Sequence, residues 1–178
     1  MWQLKDPTPV KLIIGILAAD QRCLSVALAS IEEQLGPIDL QSDIWPFTHT
    51  NYYRDELGDN PLRVFVSSEQ LFDPGELAAL KHKTNSIELR LAQQLKLSLP
   101  RPVNLDPGII EPGKLVLATT KNYSHRIYIG QKMYAEVTLI FDKGAWRTLP
   151  YTYPDYAQQC YHDFFTKVRY RLLEQLRS

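Results

Sequence analysis

Residues 103–141, VNLDPGIIEPGKLVLATTKNYSHRIYIGQKMYAEVTLIF, carry the strongest strand signals in the chain. Apolar and polar side chains alternate in residues 125–129 and 133–141, as two half-buried strands require. Because residues paired across antiparallel strands share a face, a three-residue loop at 130–132 sets the register. That register pairs Arg126 with Glu136, Ile127 with Ala135, and Tyr128 with Tyr134. The pattern predicts a hairpin with Ile127 on its apolar face and an Arg–Glu pair on its polar face.

The hairpin is predicted to belong to a small antiparallel meander. Residues 114–120 contain the unbroken apolar run LVLA, which is typical of a buried strand. Just before it, Asp106-Pro107-Gly108 has the composition of a tight turn, since proline fixes one dihedral angle and glycine tolerates the next. This interpretation brings Lys121 and His125 to the same end of the sheet.

Residues 108–114 match the first seven positions of the phosphate-binding loop GxxxxGK[ST]. The eighth position is Leu115, so the hydroxyl that would hold magnesium is missing. A phosphate-binding loop must also open a helix, whereas LVLATT favours a strand, and Pro112 removes one amide donor. The sequence therefore favours a glycine-bearing turn between two strands.

The composition indicates a globular chain that forms one domain over residues 1–178. Its 20 basic and 20 acidic residues give a formal net charge of zero, which argues against extended nucleic-acid binding. Cys23 and Cys160 show no metal-binding or redox spacing. The longest apolar run is too short to span a bilayer, and no signal peptide is recognisable. These features predict a cytoplasmic protein with no membrane partner, and they identify neither a cofactor nor an oligomeric state.

Strands and helices alternate in the first part of the chain. Strands are expected at residues 11–19, 37–46 and 62–67 and near residues 102–105. Asp20 and Asp73 are placed to cap the two intervening helices, and Thr152 to cap a last one. The predicted fold class is α+β: a ferredoxin-like β-α-β-β-α-β unit, extended by an antiparallel meander of three more strands and by a C-terminal helix.

The richest set of polar residues lies at the end of the meander. Lys121 and Arg126 are candidates to hold an anionic group, His125 to move a proton, and Glu136 to orient either base. A solvated sheet face with one cross-strand ion pair explains the same residues without a ligand. Two further candidates, Asn104 and Asp106, adjoin this end through their predicted turn, although turn chemistry alone accounts for both.

Two other segments contain candidate residues. Lys81, Asn85 and Glu88 stand in line at one- and two-turn spacing on the second helix, beside its apolar stripe. Asn85 and Glu88 are therefore candidates to face the ligand, although a solvent-exposed helix face has the same pattern. Residues 45–54 form an aromatic, polar loop in which His49 could ligate a metal or act as a base. A surface loop rich in turn formers explains that segment equally.

Two enzyme classes can be tested by their spacing. Two-histidine phosphoesterases carry H-x-[ST] twice, but His125 lacks the hydroxyl two residues later, and the hydroxyl after His49 comes one residue too early. A metalloenzyme is disfavoured because no group of histidines, cysteines or carboxylates shows a recognisable ligand spacing.

The chain resembles an uncharacterised prokaryotic family known as domain of unknown function 4416. The residues that carry the resemblance are Thr48, Tyr52-Tyr53, Glu56-Leu57-Gly58, Lys81, Thr84-Asn85, Glu88, VNLDPG at 103–108, LATTK at 117–121, HRIY at 125–128, AEVTL at 135–139 and YPDY at 153–156. The resemblance spans nearly the whole chain and implies no activity. His125, Arg126, Glu136, Asn104 and Asp106 belong to the family pattern, whereas His49 does not.

Three hypotheses follow from the sequence. The first is a site for a small anionic ligand, nucleotide-like or phosphorylated, at the end of the meander. The second is an enzyme of the phosphoryl-transfer or hydrolase type, in which His125 is the acid–base and Glu136 orients it. The third is a protein-interaction module without a pocket, with residues 45–53 as its contact surface.

Overall fold

One antiparallel sheet organises the computed structural model, which describes residues 2–48 and 54–177. The strands within these residues are β1 (Val10–Ala18), β2 (Ile38–Gln41), β3 (Trp45–Pro46), β4 (Leu62–Phe72), β5 (Val103–Glu111), β6 (Lys114–Thr119), β7 (Ile127–Tyr128), β8 (Tyr134–Asp142) and β9 (Ala145–Thr148). The helices there are α1 (Gln21–Leu35), α2 (Arg54–Leu57), α3 (Leu77–Leu95) and α4 (Gln159–Gln175). The predicted α+β class is confirmed.

Seven strands follow the order β2-β4-β1-β5-β6-β8-β7, while β3 pairs with β4 and β9 pairs with β8. All of these pairings are antiparallel. Even-numbered residues of β1, such as Leu12 and Ile16, pack in one core with α1 and α3. On the opposite face, Ile13 packs with the aromatic residues of α4. The sheet thus lies between a pair of helices and a single helix.

Local signals explain how α1 and α3 begin. The carboxylate of Asp20 accepts a hydrogen bond from the Cys23 amide at 2.7 Å, which satisfies one of the free donors in the first turn of α1. Asp73 accepts a bond from the Gly75 amide at 2.7 Å and caps a short 3-10 turn that leads into α3. The apolar stripe predicted for α3 is buried along its whole length, with Thr84 among its members.

The predicted turn at Asp106-Pro107-Gly108 is wrong, because these residues lie inside β5. The chain reverses instead at Pro112-Gly113, between Glu111 and its partner Lys114. Strand β6 begins at Lys114, so the predicted turn between two strands is confirmed where a phosphate-binding loop would open a helix. A proline is tolerated in a strand where its nitrogen needs no ladder partner, a condition that Pro107 meets.

The predicted hairpin register is confirmed: Ile127 lies opposite Ala135, and Tyr128 lies opposite Tyr134. The predicted burial of Ile127 is wrong, because it is 72% exposed on the short edge strand β7. A register irregularity in the β6–β8 pairing also lets Glu136 and Leu139 point to the same face, with Thr138 between them. Period-two alternation therefore fails in the middle of β8.

The segment before α4 differs from the prediction. Strand β9, which forms a hairpin with β8 through Lys143-Gly144, was not expected. The Thr152 hydroxyl donates to the main-chain oxygen of Thr138 at 2.6 Å and accepts from the Leu149 amide at 2.8 Å. Thr152 therefore fixes the loop after β9 onto β8 and does not cap α4, which begins at Gln159 after a 3-10 turn at Pro154–Ala157.

Candidate functional site

Strands β5 and β6 separate toward one end of the sheet. β5 pairs with β1 from Val103 to Ile110, but its pairing with β6 extends only from Gly108 to Glu111. The first half of β5 therefore has a strand on one side only. A buried strand edge of this kind leaves amide and carbonyl groups that need other partners.

Two side chains of α3 supply those partners. The Leu105 amide donates to Glu88 Oε1 at 2.6 Å, and the Lys81 ammonium donates to the Leu105 carbonyl at 2.9 Å. Both main-chain groups of Leu105 thus point away from β1. Because this direction alternates along an antiparallel strand, the nitrogen of Pro107 points into the same gap. Lys81 and Glu88 replace the hydrogen bonds of the missing strand.

The same two side chains extend into a charged network. Lys81 reaches Asp106 Oδ1 at 3.2 Å, and Asn104 donates to Asp106 Oδ2 at 2.6 Å. Arg101 contacts Glu88 Oε2 through Nη2 at 2.7 Å. Asp106 keeps 30% of its side chain exposed, so solvent reaches this network from the gap.

Burial and neighbouring charges set the protonation of the two carboxyl groups. Burial raises the pKa of Glu88, and the positive charges of Arg101 and Lys81 only partly oppose it. Burial also raises the pKa of Asp106, but the positive charges of Lys81 and Arg63 have the larger combined effect and hold that pKa below its ordinary value. Asp106 is therefore an ionised carboxylate held between two cations.

A second group forms around Glu136, whose carboxylate is buried. Glu136 Oε2 accepts from Arg126 Nε at 2.7 Å and from His125 Nε2 at 3.2 Å. Arg126 uses its other two nitrogens on the Lys121 carbonyl at 3.0 Å and on the Tyr153 hydroxyl at 3.2 Å. The Arg126 side chain is only 3% exposed. Arg126 therefore holds Glu136 and the loop after β6 in position.

His125 is held as an oriented ring at the surface. It stacks on Tyr151 at 4.1 Å between ring centroids with an interplanar angle of 10°, and Tyr123 lies on it at 5.9 Å. Nε2 is fixed by Glu136, while 22% of the His125 side chain remains exposed. Nδ1 makes no hydrogen bond with any residue of the described ranges. In the neutral ring this nitrogen accepts a hydrogen bond, and in the protonated ring it donates one.

The predicted site residues fall into two networks: Asp106 and Glu136 lie on the α4 face of the sheet, and Glu88 reaches β5 from α3 on the other face. Glu136 is in register with Leu117 and Gly108, and Asp106 precedes Gly108 by two residues on the same face. With about 4.8 Å between neighbouring strands, the two carboxylates are on the order of 12 Å apart. His125, Arg126 and Glu136 come together as predicted. Asn104, Asp106 and Glu88 join Lys81 instead.

Lys121 and Asn85 are the remaining predicted residues. The side chain of Lys121 is exposed, and the Arg126 network uses its main-chain oxygen. Asn85 is half-buried and forms no side-chain hydrogen bond with the described part of the chain.

Sequence reasoning missed a third group on the α4 face, formed by Arg63, Asp155, Tyr156 and Gly15. A lone arginine inside the apolar strand LRVFV was one available signal. The other was a lone glycine in β1, because glycine within a strand often marks close approach of other atoms to the backbone.

The aromatic loop is described in part. Trp45 packs against Phe65 and Tyr161 in the core on the α4 side, and Phe47 is buried. His49 and the rest of the segment up to residue 53 lie outside the described residues. A shallow groove of about 520 Å³ lies between α1 and α3, lined by Ser25, Val26, Ala29, Ser30, Glu33 and Gln94. None of the predicted site residues lines that groove.

Comparison with protein families gives a match over most of the chain. A family model described as "Domain of unknown function (DUF4416)" matches residues 8–171. A search of curated proteins and a search of solved structures find no match. Within residues 2–48 and 54–177, no helix has both the length and the apolar character needed to cross a membrane. In those same ranges, no cluster of three or more His, Cys, Asp or Glu side chains could hold a metal ion.

Proposed function

The chain therefore belongs to this family of unknown function, and from its geometry we propose that it binds a small anionic ligand, nucleotide-like or phosphorylated, at His125. The observation that carries the proposal is the fixed imidazole: Glu136 holds Nε2, Tyr151 stacks on the ring, and part of the ring stays open to solvent. These two contacts fix the orientation of the ring, and a ring held in one orientation is preorganised to present Nδ1 to a ligand.

The ligand chemistry follows from the groups that remain accessible. When the ring is protonated, Nδ1 donates to an anionic oxygen, and the exposed ammonium of Lys121 adds positive charge on the same loop. The Tyr123 ring beside it is 61% exposed, which gives a planar base an aromatic surface to contact. Arg126 is a positioning residue in this proposal, since its three nitrogens already have protein acceptors.

A second candidate function is an enzyme of the phosphoryl-transfer or hydrolase type on such a ligand. It is favoured by the contact between Glu136 and His125, because a carboxylate on one ring nitrogen fixes the tautomer and leaves the other nitrogen to act as a base. In this candidate His125 Nδ1 takes a proton from a hydroxyl or water. The activity would disappear in His125→Ala while the fold persists.

The finer structural class and the location are proposals as well. The order β2-β4-β1-β5, with α1 and α3 on one face, supports a ferredoxin-like unit as the first part of the fold. Both cysteines are unpaired, which supports a reducing, cytoplasmic location.

The test is a thermal-shift screen of nucleotides, sugar phosphates and carboxylates against four proteins: the wild type, His125→Gln, Glu136→Gln and His82→Gln. His82 is the matched control, because it is exposed on α3 and its ring contacts the Gln131 carbonyl, away from His125 and Glu136. We expect at least one compound to raise the Tm of the wild type and of His82→Gln. Its dissociation constant should rise about tenfold in His125→Gln, since a hydrogen bond to a charged group is lost. No shift with any compound, or equal binding by His125→Gln, would contradict the proposal.

A further inference from the structure

The guanidinium of Arg63 is buried on the α4 side of the sheet with most of its donors unused. Nη2 donates to Asp155 Oδ2 at 3.1 Å, whereas Nε and Nη1 are enclosed and meet no acceptor at hydrogen-bond geometry within the residues that the structure describes. The centroids of the Phe47 and Phe65 rings lie 5.0 and 5.3 Å from its central carbon. These rings stabilise the cation but accept no conventional hydrogen bond from its edge.

The hydroxyl of Tyr156 is a third unused donor in the same place. It is buried and forms no hydrogen bond within the described part of the chain, and burial raises its pKa well above the ordinary value although Arg63 opposes this. A side-chain carbon at Gly15 would lie 3.1 Å from Arg63 Nη1 and 3.3 Å from the Tyr156 hydroxyl. The arginine and tyrosine donors therefore meet over the same point of the β1 backbone, where the absence of a side chain lets them approach.

Three buried donors without an acceptor are costly, because each forfeits its hydrogen bonds to water. We propose that Arg63 and Tyr156 form a binding site for an anionic oxygen group, a carboxylate or a phosphoryl group, beside Gly15. The chemistry fits because the two unused Arg63 nitrogens can only donate and the Tyr156 hydroxyl can donate as well. The charges there are already balanced, with Arg63 paired to Asp155 and Lys81 paired to Asp106, so the site favours a group of low charge.

Solvent comes near this point at the neighbouring strand. Asp106 lies opposite Gly15 in the β1–β5 pairing, its side chain is partly exposed, and its charge acts on Arg63. We take this partly exposed side as the entrance for the ligand. This site is independent of the proposed function at His125, which uses other residues.

The experiment titrates inorganic phosphate and, separately, acetate against the purified full chain, with sodium chloride of equal ionic strength as the reference. We expect at least one of the two anions to raise the Tm saturably. Binding of phosphate alone identifies a phosphoryl site, and binding of acetate alone identifies a carboxylate site. In Tyr156→Phe the dissociation constant should rise about tenfold. The matched control Tyr170→Phe, which loses an exposed phenol of α4, should bind as the wild type does.

A second measurement follows the arginine directly. In nitrogen-15 spectra the Arg63 Nε–H signal, assigned by its loss in Arg63→Lys, should shift as the anion is added. His125→Gln should show the same shift, which separates this site from the proposed ligand site. If neither anion moves the Tm or the Nε–H signal, ordered water satisfies these donors and the proposal is wrong. It is also wrong if Tyr156→Phe folds and binds both anions as tightly as the wild type.

Discussion

Replacing Lys81 by methionine tests whether an α3 side chain really completes β5. Methionine keeps most of the length and apolar character of the lysine stem, with sulfur in place of one methylene, and lacks the ammonium. The substitution leaves the buried Leu105 carbonyl without its donor and takes one hydrogen bond from Asp106. A lost bond to a charged group costs about 1.5–3 kcal/mol, and an unpaired buried carbonyl costs about 1–3 kcal/mol more. The ammonium no longer has to be desolvated, so we expect a net loss of about 3 kcal/mol.

Chemical denaturation at neutral pH measures this loss as a change in the free energy of unfolding. The corresponding fall in Tm is about 6–12 °C for a chain of this size. Lys83→Met is the matched control, because Lys83 lies on the same helix and is exposed; it should change stability by less than about 0.5 kcal/mol. In a double-mutant cycle with Asp106→Asn, the two substitutions should couple by about 1 kcal/mol or more.

The loss should also depend on pH. The folded pKa of Asp106 lies below its unfolded value, so Asp106 contributes stability above about pH 4 and loses it as the pH falls through the folded pKa. Without Lys81 the folded pKa rises, and the variant gains less from ionised Asp106. The difference in the free energy of unfolding between the wild type and Lys81→Met should therefore become smaller below about pH 4. This account of β5 would be refuted if Lys81→Met lost no more stability than Lys83→Met. It would also be refuted if the difference in the free energy of unfolding from the wild type became larger in acid.

Two further substitutions test the packing of the sheet, again by chemical denaturation. Gly108→Ala should cost about 2 kcal/mol, because its new methyl carbon would lie 2.6 Å from Leu117 Cδ2 and 2.8 Å from a main-chain oxygen of β6. Gly113→Ala is its control, since nothing lies within 4 Å there; equal effects of the two would contradict the packing argument. Lys11→Met should cost about 2 kcal/mol, because it removes the buried ammonium that donates to Asp39. The cost stays below that of leaving Asp39 with no cation, since Arg171 remains beside it. An unchanged free energy of unfolding would show that this buried pair contributes nothing.

Local patterns predicted the parts of the fold that local physics controls. The stripe of α3 and the cap at Asp20 depend on residues within a turn or two of each other, and both are found as expected. The β7–β8 register could be deduced because a short loop leaves few ways to pair alternating strands. That register also brought Arg126 beside Glu136, the part of the candidate site that the sequence predicted best.

The same reasoning was wrong where contacts between residues distant in the sequence decide the structure. Asp106-Pro107-Gly108 has the composition of a turn, yet it stays extended because Pro107 faces a gap that no pattern within β5 reveals. Ile127 follows the apolar alternation but lies on an edge strand, where the neighbouring sheet offers it no cover. Arg63 and Asp155 are separated by 92 residues, so only the packing of the 3-10 turn before α4 onto the sheet brings them together.

The replacement of a strand by Lys81 and Glu88 also bears on self-association. A row of free amides and carbonyls inside a sheet is a template onto which a segment of another molecule can add. Here the amide and the carbonyl of one residue are already capped by a helix that is anchored along its whole apolar stripe. The chain can thus keep an opening in its sheet without offering a docking edge to a second copy, and loosening α3 would be expected to promote aggregation before it unfolds the rest.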